Sequence, residues 1–220
     1  MSRPALILVS GWGHPPDELS QLVAGLAEHF DVTALSVHEL GPAYGDKLAQ
    51  VLEQKQGPSY LLGWSMGGMI SLEAAARHPE LVAGLILVGS TAKFCPDEDY
   101  PQGIPAKNLR AMIAALRKHP GPVLSQFLAE VHSPDTLDPE TLSAHVSQTT
   151  SLGTDALVRD LDYLQTADLR RAAKNLHVPV LVLHGQEDRI VPFQSGQWLL
   201  DNLPHAHGKI FKGVGHNLPL

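Results

Sequence analysis

Three residues in this chain have the types and the order to share one reaction: Ser65, Asp188 and His216. Ser65 lies in Leu61-Leu62-Gly63-Trp64-Ser65-Met66-Gly67-Gly68, an apolar run that breaks into a helical stretch at a serine flanked by small residues. This is the Gly-x-Ser-x-Gly pattern of a nucleophile elbow, in which a strained strand-to-helix turn pushes the hydroxyl out above a sheet. Glycine is required at 63 and 67 because strand and helix pass so closely that a Cβ would clash. The bland alternative is a serine in an ordinary glycine-rich turn. A strand-like run before Ser65 and a helical run after it argue against that.

A serine hydroxyl is a weak nucleophile until a base takes its proton, and the base works best when a carboxylate fixes its tautomer. Behind an elbow of this kind the chain order is serine, acid, histidine. Asp188 follows the apolar run Val180-Leu181-Val182-Leu183, which puts it at the C-terminal end of a strand, on the same sheet edge as Ser65. Glu187 is the neighbouring alternative. Of the 12 histidines, only His205, His207 and His216 come later. The first two flank a turn before the last strand and are expected to face water. His216 follows that strand in Gly213-Val214-Gly215-His216, where glycines let a loop fold over the sheet edge, and is the expected base.

A tetrahedral intermediate needs two N–H donors aimed at its oxyanion. One is expected from Met66, the residue after the nucleophile. The other is expected from Trp12, in the loop Ser10-Gly11-Trp12-Gly13-His14 after the first strand; a purely structural tryptophan in the core is the alternative. No metal or other cofactor is called for. Scattered histidines with a single cysteine make no ligand set.

The elements that must position these residues alternate between apolar runs and amphipathic stretches, the pattern of a parallel sheet with helices on both faces. Strands are expected at Ala5–Val9, Val32–Val37, Tyr60–Leu62, Leu85–Val88, Val180–Leu183 and Lys209–Lys212. Leu19, Leu22, Val23, Leu26 and Phe30 mark a first helix; Leu48, Val51 and Leu52 mark a second. Another helix runs from Ser65 towards Arg77. From about Thr91 to Thr166 prolines are frequent and no strand is evident, so this stretch reads as a helical insertion over the sheet edge. The expected division is a core of residues 1–90 and 167–220 with 91–166 inserted.

At 220 residues, 44% hydrophobic and 18% charged, the chain has the makings of one sizeable core. A net charge of −7 gives no support to nucleic-acid binding. The lone Cys95 excludes an internal disulfide and fits a reducing, cytoplasmic setting. The apolar run near the start is brief and leads into Gly11-Trp12-Gly13 without a cleavage-like site, so it reads as a strand and not a secretion signal. No stretch approaches the length of a membrane span.

These residues resemble the α/β-hydrolase superfamily, and within it the biotin-pathway esterases that demethylate pimeloyl-acyl-carrier-protein methyl ester. The resemblance runs over nearly the whole chain. It is carried by Gly11-Trp12-Gly13, by Gly63-Trp64-Ser65-Met66-Gly67-Gly68 and by His78-Pro79-Glu80-Leu81-Val82. Leu164 to Arg170 leading to Val178-Pro179, and Asp188 with Val191-Pro192, add to it. It implies a Ser65–Asp188–His216 triad, a lid made of the Thr91–Thr166 insertion, and a mostly parallel sheet of about six strands. Ser10 departs from the histidine usual before the oxyanion glycine. The chain also begins at what is normally the third strand and ends without the usual helix behind the histidine loop.

Such esterases use basic lid residues to hold an acidic carrier. Here Lys107, Arg110, Arg117 and Lys118 are expected on one side of a helix, opposite Leu109, Met112, Ile113 and Leu116; a merely solvated face is the bland reading. Between Pro120 and Thr150 there is no lysine or arginine. The expectation is therefore a serine carboxylesterase acting on a small or carrier-bound acyl ester, with acyl carrier protein as the expected partner. A generalist short-chain esterase and a non-catalytic binding homologue are the alternatives.

Overall fold

The computed structural model describes residues 3–219. β1 (Ala5–Val9) is apolar throughout and buried beyond its first residue. A 3-10 turn at Pro16–Leu19 leads into α1 (Ser20–Leu26) and then β2 (Asp31–Leu35). The strand expected to reach Val37 stops at Leu35. Ser36 accepts a hydrogen bond from the Glu39 amide while the Glu39 carboxylate accepts one from the Ser36 amide, and this capping box starts α2 (Val37–Leu40). The β-branched valine gives way to the cap. Phe30, expected on the first helix, lies beyond it and packs its ring against Tyr60.

α3 (Tyr44–Glu53), β3 (Ser59–Trp64), α4 (Met66–Arg77) and β4 (Val82–Val88) come next. Among the described residues four helices then fill the expected insertion: α5 (Ala106–Leu116), α6 (Pro120–His132), α7 (Pro139–Ser151) and α8 (Thr154–Thr166). α9 (Arg170–Lys174), β5 (Val180–Gly185), α10 (Phe193–Asn202) and β6 (Ala206–Phe211) complete the order. β6 starts earlier than the expected Lys209. Gly208 allows this, since a Cβ there would meet the Val182 carbonyl oxygen at 2.0 Å.

The six strands lie in the order β2-β1-β3-β4-β5-β6, and each of these pairings is parallel. Alternate residues of a strand serve opposite faces. Ile7, Val9 and Leu61 share a buried cluster with residues of α3 and α4, α10 covers β5 and β6, and Leu6, Leu8 and Leu62 pack with α1. Burial on both faces explains why these strands read as continuous apolar runs. Parallel strands bring their C-terminal ends to one edge, and the loops after β1, β3, β5 and β6 meet there. No helix among the described residues is long and apolar enough to cross a membrane.

Candidate active site

Ser65 sits between β3 and α4 with φ 57° and ψ −122°, a left-handed backbone that a residue with a side chain rarely adopts. The surroundings enforce it. A Cβ on Gly63 would lie 2.4 Å from the Gly68 Cα, and one on Gly67 would lie 2.2 Å from the Val9 carbonyl oxygen. The Ser65 amide donates to the Val88 carbonyl at 2.9 Å, and the Ser90 hydroxyl donates to the Ser65 carbonyl at 2.7 Å. The turn is thus clamped between the ends of β1, β3 and β4. Strain of this kind persists only where neighbours over-determine it.

Asp188 and His216 meet, as the sequence order predicts. His216 Nδ1 and Asp188 Oδ2 are 2.7 Å apart, and both residues are buried. An ionised carboxylate can only accept, so Nδ1 carries the proton and Nε2 is left bare. The other carboxylate oxygen accepts from the amides of Ile190 at 2.9 Å and Val191 at 2.8 Å, which fixes its plane. Burial alone would push the Asp188 carboxyl up. The electrostatic attraction of the adjacent His216 ring and hydrogen bonds from His184 and His216 outweigh it and hold the group well below the usual carboxylate range. Glu187, the alternative acid, is exposed, as are His205 and His207. Gly89 provides the floor: a Cβ there would stand 3.2 Å from His216 Nδ1. Among the described residues no hydrogen bond joins the Ser65 hydroxyl to His216; bonds of this kind are often long before substrate enters.

The two expected oxyanion donors lie on either side of the Ser65 turn, one at the head of α4 and one in the loop after β1. Met66 is the first residue of α4, so its amide has no acceptor within the helix. Trp12 lies in a turn closed by the His14 amide and the Gly11 carbonyl at 3.3 Å, with Gly13 at φ 76°. Its indole is anchored in the core, donating to the Leu157 carbonyl at 2.9 Å and meeting Phe127 edge-on. The side chain is structural, and the backbone beside it lies at the site. Ser10, in place of the usual histidine, is buried and donates to the His14 carbonyl at 2.6 Å, closing the loop from inside.

A cavity of about 470 Å3 opens in front of Ser65. Phe94, Leu109, Met112 and Phe127 give it apolar walls, with Arg189 and Glu130 among its polar lining. Of the basic residues expected on one helix, Lys107 and Arg110 lie on α5 and are exposed. Arg117 caps that helix and Lys118 lies beyond it, because the backbone turns there towards His119-Pro120. Leu109 and Leu116 are buried behind them, as expected, while Met112 and Ile113 are half-buried.

Several residues at this edge escaped sequence reasoning. The Trp64 indole donates to the His216 carbonyl at 2.9 Å, holding the histidine loop against the elbow strand. His184 Nε2 lies 2.8 Å from the Val191 carbonyl and 3.3 Å from Asp188 Oδ2. Its spacing of four residues before Asp188 was the only sequence signal. The Thr149 hydroxyl donates to the Gly13 carbonyl at 2.8 Å from far along the chain, with no such signal.

Residues 4–220 match the family described as the alpha/beta hydrolase fold. The chain belongs to the α/β-hydrolase family. Its relatives within that family include a protein of Neisseria meningitidis serogroup A named pimeloyl-[acyl-carrier protein] methyl ester esterase. The two are 32% identical over 223 residues, 95% of this chain and 70% of that protein. A protein of the same name from Aromatoleum aromaticum is 30% identical over 230 residues, covering 98% and 92%. Among solved α/β-hydrolase structures, an esterase from Exiguobacterium antarcticum superposes with a TM-score of 0.87 at 20% identity. That match covers 100% of this chain and 88% of the other, and it shows a common fold.

Proposed function

We propose that this α/β-hydrolase is a serine carboxylesterase acting on pimeloyl-acyl-carrier-protein methyl ester. The observation that carries the chemistry is the strained Ser65 at the head of α4, beside a hydrogen-bonded Asp188–His216 pair. Support for the substrate comes from the relatives that bear this activity as their name and align over nearly the whole chain. The cavity is of a size for a short acyl chain.

In this reading Ser65 Oγ attacks the ester carbonyl carbon and gives its proton to His216 Nε2. The carbonyl electron pair moves onto oxygen, where the Trp12 and Met66 amides stabilise it. Collapse of the intermediate expels methoxide, which takes the proton from His216 and leaves as methanol. A water then attacks the acyl-enzyme, again losing its proton to His216. The second collapse returns the proton to Ser65 Oγ and frees the carrier-bound acid. Asp188 keeps the imidazole in the tautomer this cycle needs. Residues 91–166 serve as the lid over a core of 1–90 and 167–220, and Lys107, Arg110, Arg117 and Lys118 receive the acidic carrier. The enzyme works in a reducing, cytoplasmic compartment.

A generalist short-chain esterase is the second reading. It is favoured by the absence of lysine and arginine from Pro120 to Thr150, which leaves few cations for a carrier. Hydrolysis of the carrier-bound methyl ester beside free dimethyl pimelate and p-nitrophenyl butyrate separates the two, with Ser65→Ala as control. A strong kcat/KM preference for the carrier ester is expected. Reversing charge at Lys107 and Arg110 together should lower that preference about tenfold. Equal turnover of all three esters would favour the generalist. Activity surviving Ser65→Ala would overturn both.

A further inference from the structure

A second histidine–carboxylate pair stands behind the oxyanion loop. His38, on the short helix α2, accepts a hydrogen bond at Nε2 from the Gly13 amide at 3.2 Å. An imidazole nitrogen that accepts carries no proton, so the neutral His38 ring must be protonated at Nδ1. Nδ1 lies in close contact with Asp160 Oδ2, and among the described residues neither atom has a hydrogen-bond partner of regular geometry. The contact is more electrostatic than an aligned hydrogen bond.

Asp160 is fully buried on α8. Its other oxygen accepts from the Tyr44 hydroxyl, and from Arg159 Nε and a terminal guanidinium nitrogen at 3.1 and 3.0 Å. Burying a carboxylate is costly unless it is compensated, and here the compensation converges from α2, α3 and α8 on one group. No step of the ester chemistry uses it.

What the group does is hold the Trp12–Gly13 turn. His38 fixes the Gly13 amide, Thr149 fixes the Gly13 carbonyl, and Leu157 fixes the Trp12 indole. With both polar groups of Gly13 committed, the adjoining peptide that bears the Trp12 N–H cannot rotate freely. Oxyanion stabilisation depends on donors already aimed before charge develops.

We infer that His38, held in its Nδ1–H tautomer by Asp160, is a positioning residue for the oxyanion hole: it accepts the Gly13 amide and thereby aims the Trp12 amide. This rests on the esterase reading for its effect on rate, but the tie between His38 and the loop stands apart from it. The charge state matters. Were His38 protonated at both nitrogens, its Nε2–H would face the Gly13 N–H, donor against donor, and the anchor would be lost. Asp160 is the titratable group that touches the ring, and Tyr44 and Arg159 are bonded to Asp160 in turn.

The test compares His38→Ala, His38→Gln and Asp160→Asn in the full chain, with thermal melting as a folding control. His38→Ala should lower kcat for p-nitrophenyl butyrate between about tenfold and a hundredfold, with KM changed less than about twofold. His38→Gln can place its amide oxygen near the lost Nε2 and should recover most of the rate. Asp160→Asn can offer an N–H to Nδ1, drive the proton to Nε2 and turn it against Gly13, so its kcat should fall like that of His38→Ala. Hydrogen exchange at the Gly13 amide should quicken in His38→Ala and in Asp160→Asn, but not in His38→Gln. Unchanged kcat in His38→Ala, or a rescue variant no better than alanine in both readouts, would overturn the assignment. If the wild-type protein hydrolyses no ester and Ser65 takes up no fluorophosphonate, the esterase reading fails by itself. The exchange rates then decide the His38 anchor alone.

Discussion

The elbow and the Trp12 loop lie side by side at the mouth of the same cavity, yet they are built by opposite means. At the elbow the backbone is held chiefly by the lack of room, with the Val88 carbonyl and the Ser90 hydroxyl bonded to Ser65 in support. Gly63, Gly67 and Gly68 each sit where a Cβ would come within 2.5 Å of another atom. At the loop the backbone is held by side chains from distant segments: His38, Thr149 and the Trp12 contact with Leu157. Steric confinement tolerates no substitution but needs no partner. Hydrogen-bonded confinement can be loosened one bond at a time.

That difference can be broken open by mutation. Gly67→Ala drives a methyl group to 2.2 Å from the Val9 carbonyl oxygen, so it should destabilise the fold by about 3 kcal/mol or more and abolish fluorophosphonate labelling of Ser65. Denaturant melts and probe labelling check it; a stable, labelled variant would mean that the elbow is looser than its geometry. Thr149→Val keeps the shape and removes only the hydroxyl bonded to Gly13. Stability should fall by about 1 kcal/mol, and kcat should drop about fivefold with KM nearly unchanged. Equal losses in kcat and stability for the elbow and loop variants would erase the contrast.

The smallest effect lies at the seam between the two regions. The His14 ring packs at a 49° tilt against Trp64 with centroids 4.4 Å apart, and its Nδ1 is 2.5 Å from the Glu18 carboxylate. Burial lowers the His14 pKa below its ordinary 6.5, with Glu18 opposing in part, and burial lowers that of His132 in the same direction. Below about pH 6.5 the unfolded chain therefore takes up protons that the folded chain refuses, so stability falls as pH falls. Melting temperature should drop by about 3 °C between pH 7 and 5.5, and His14→Gln should flatten that slope. A slope unchanged in His14→Gln would assign the effect to other groups.

Why one region was legible in sequence and the other was not follows from the same contrast. An elbow is written in one short run, because its glycines all lie between 63 and 68, even though Gly67 and Gly68 make room for the distant Val9 and Ser90. The order of Ser65, Asp188 and His216 along successive strands extends that legibility to the whole sheet edge. The His38 anchor joins residues 13, 38 and 160, and no local spacing encodes such a meeting. Its one trace was Ser36 three residues before Glu39, a capping signal hidden beneath the strand-like Val37. The helix expected to carry Arg117 and Lys118 ends at Leu116 for the opposite reason. Helical periodicity continues through them, while the Pro120 start of α6 ends the helix first.

The helices between β4 and β5 reach into both walls of the catalytic cleft. On one side they grip the oxyanion turn through Thr149 and Leu157. On the other, Gly215 runs so close beneath the end of α6 that a Cβ would fall 1.7 Å from the Ser133 carbonyl oxygen, which presses the insertion against the loop of His216. To an engineer this means that the segment is no interchangeable cassette. A chimera that borrows it from a relative must inherit Gly13, His38 and Gly215 from the same parent, or the graft will fold over a cleft whose two walls no longer fit it.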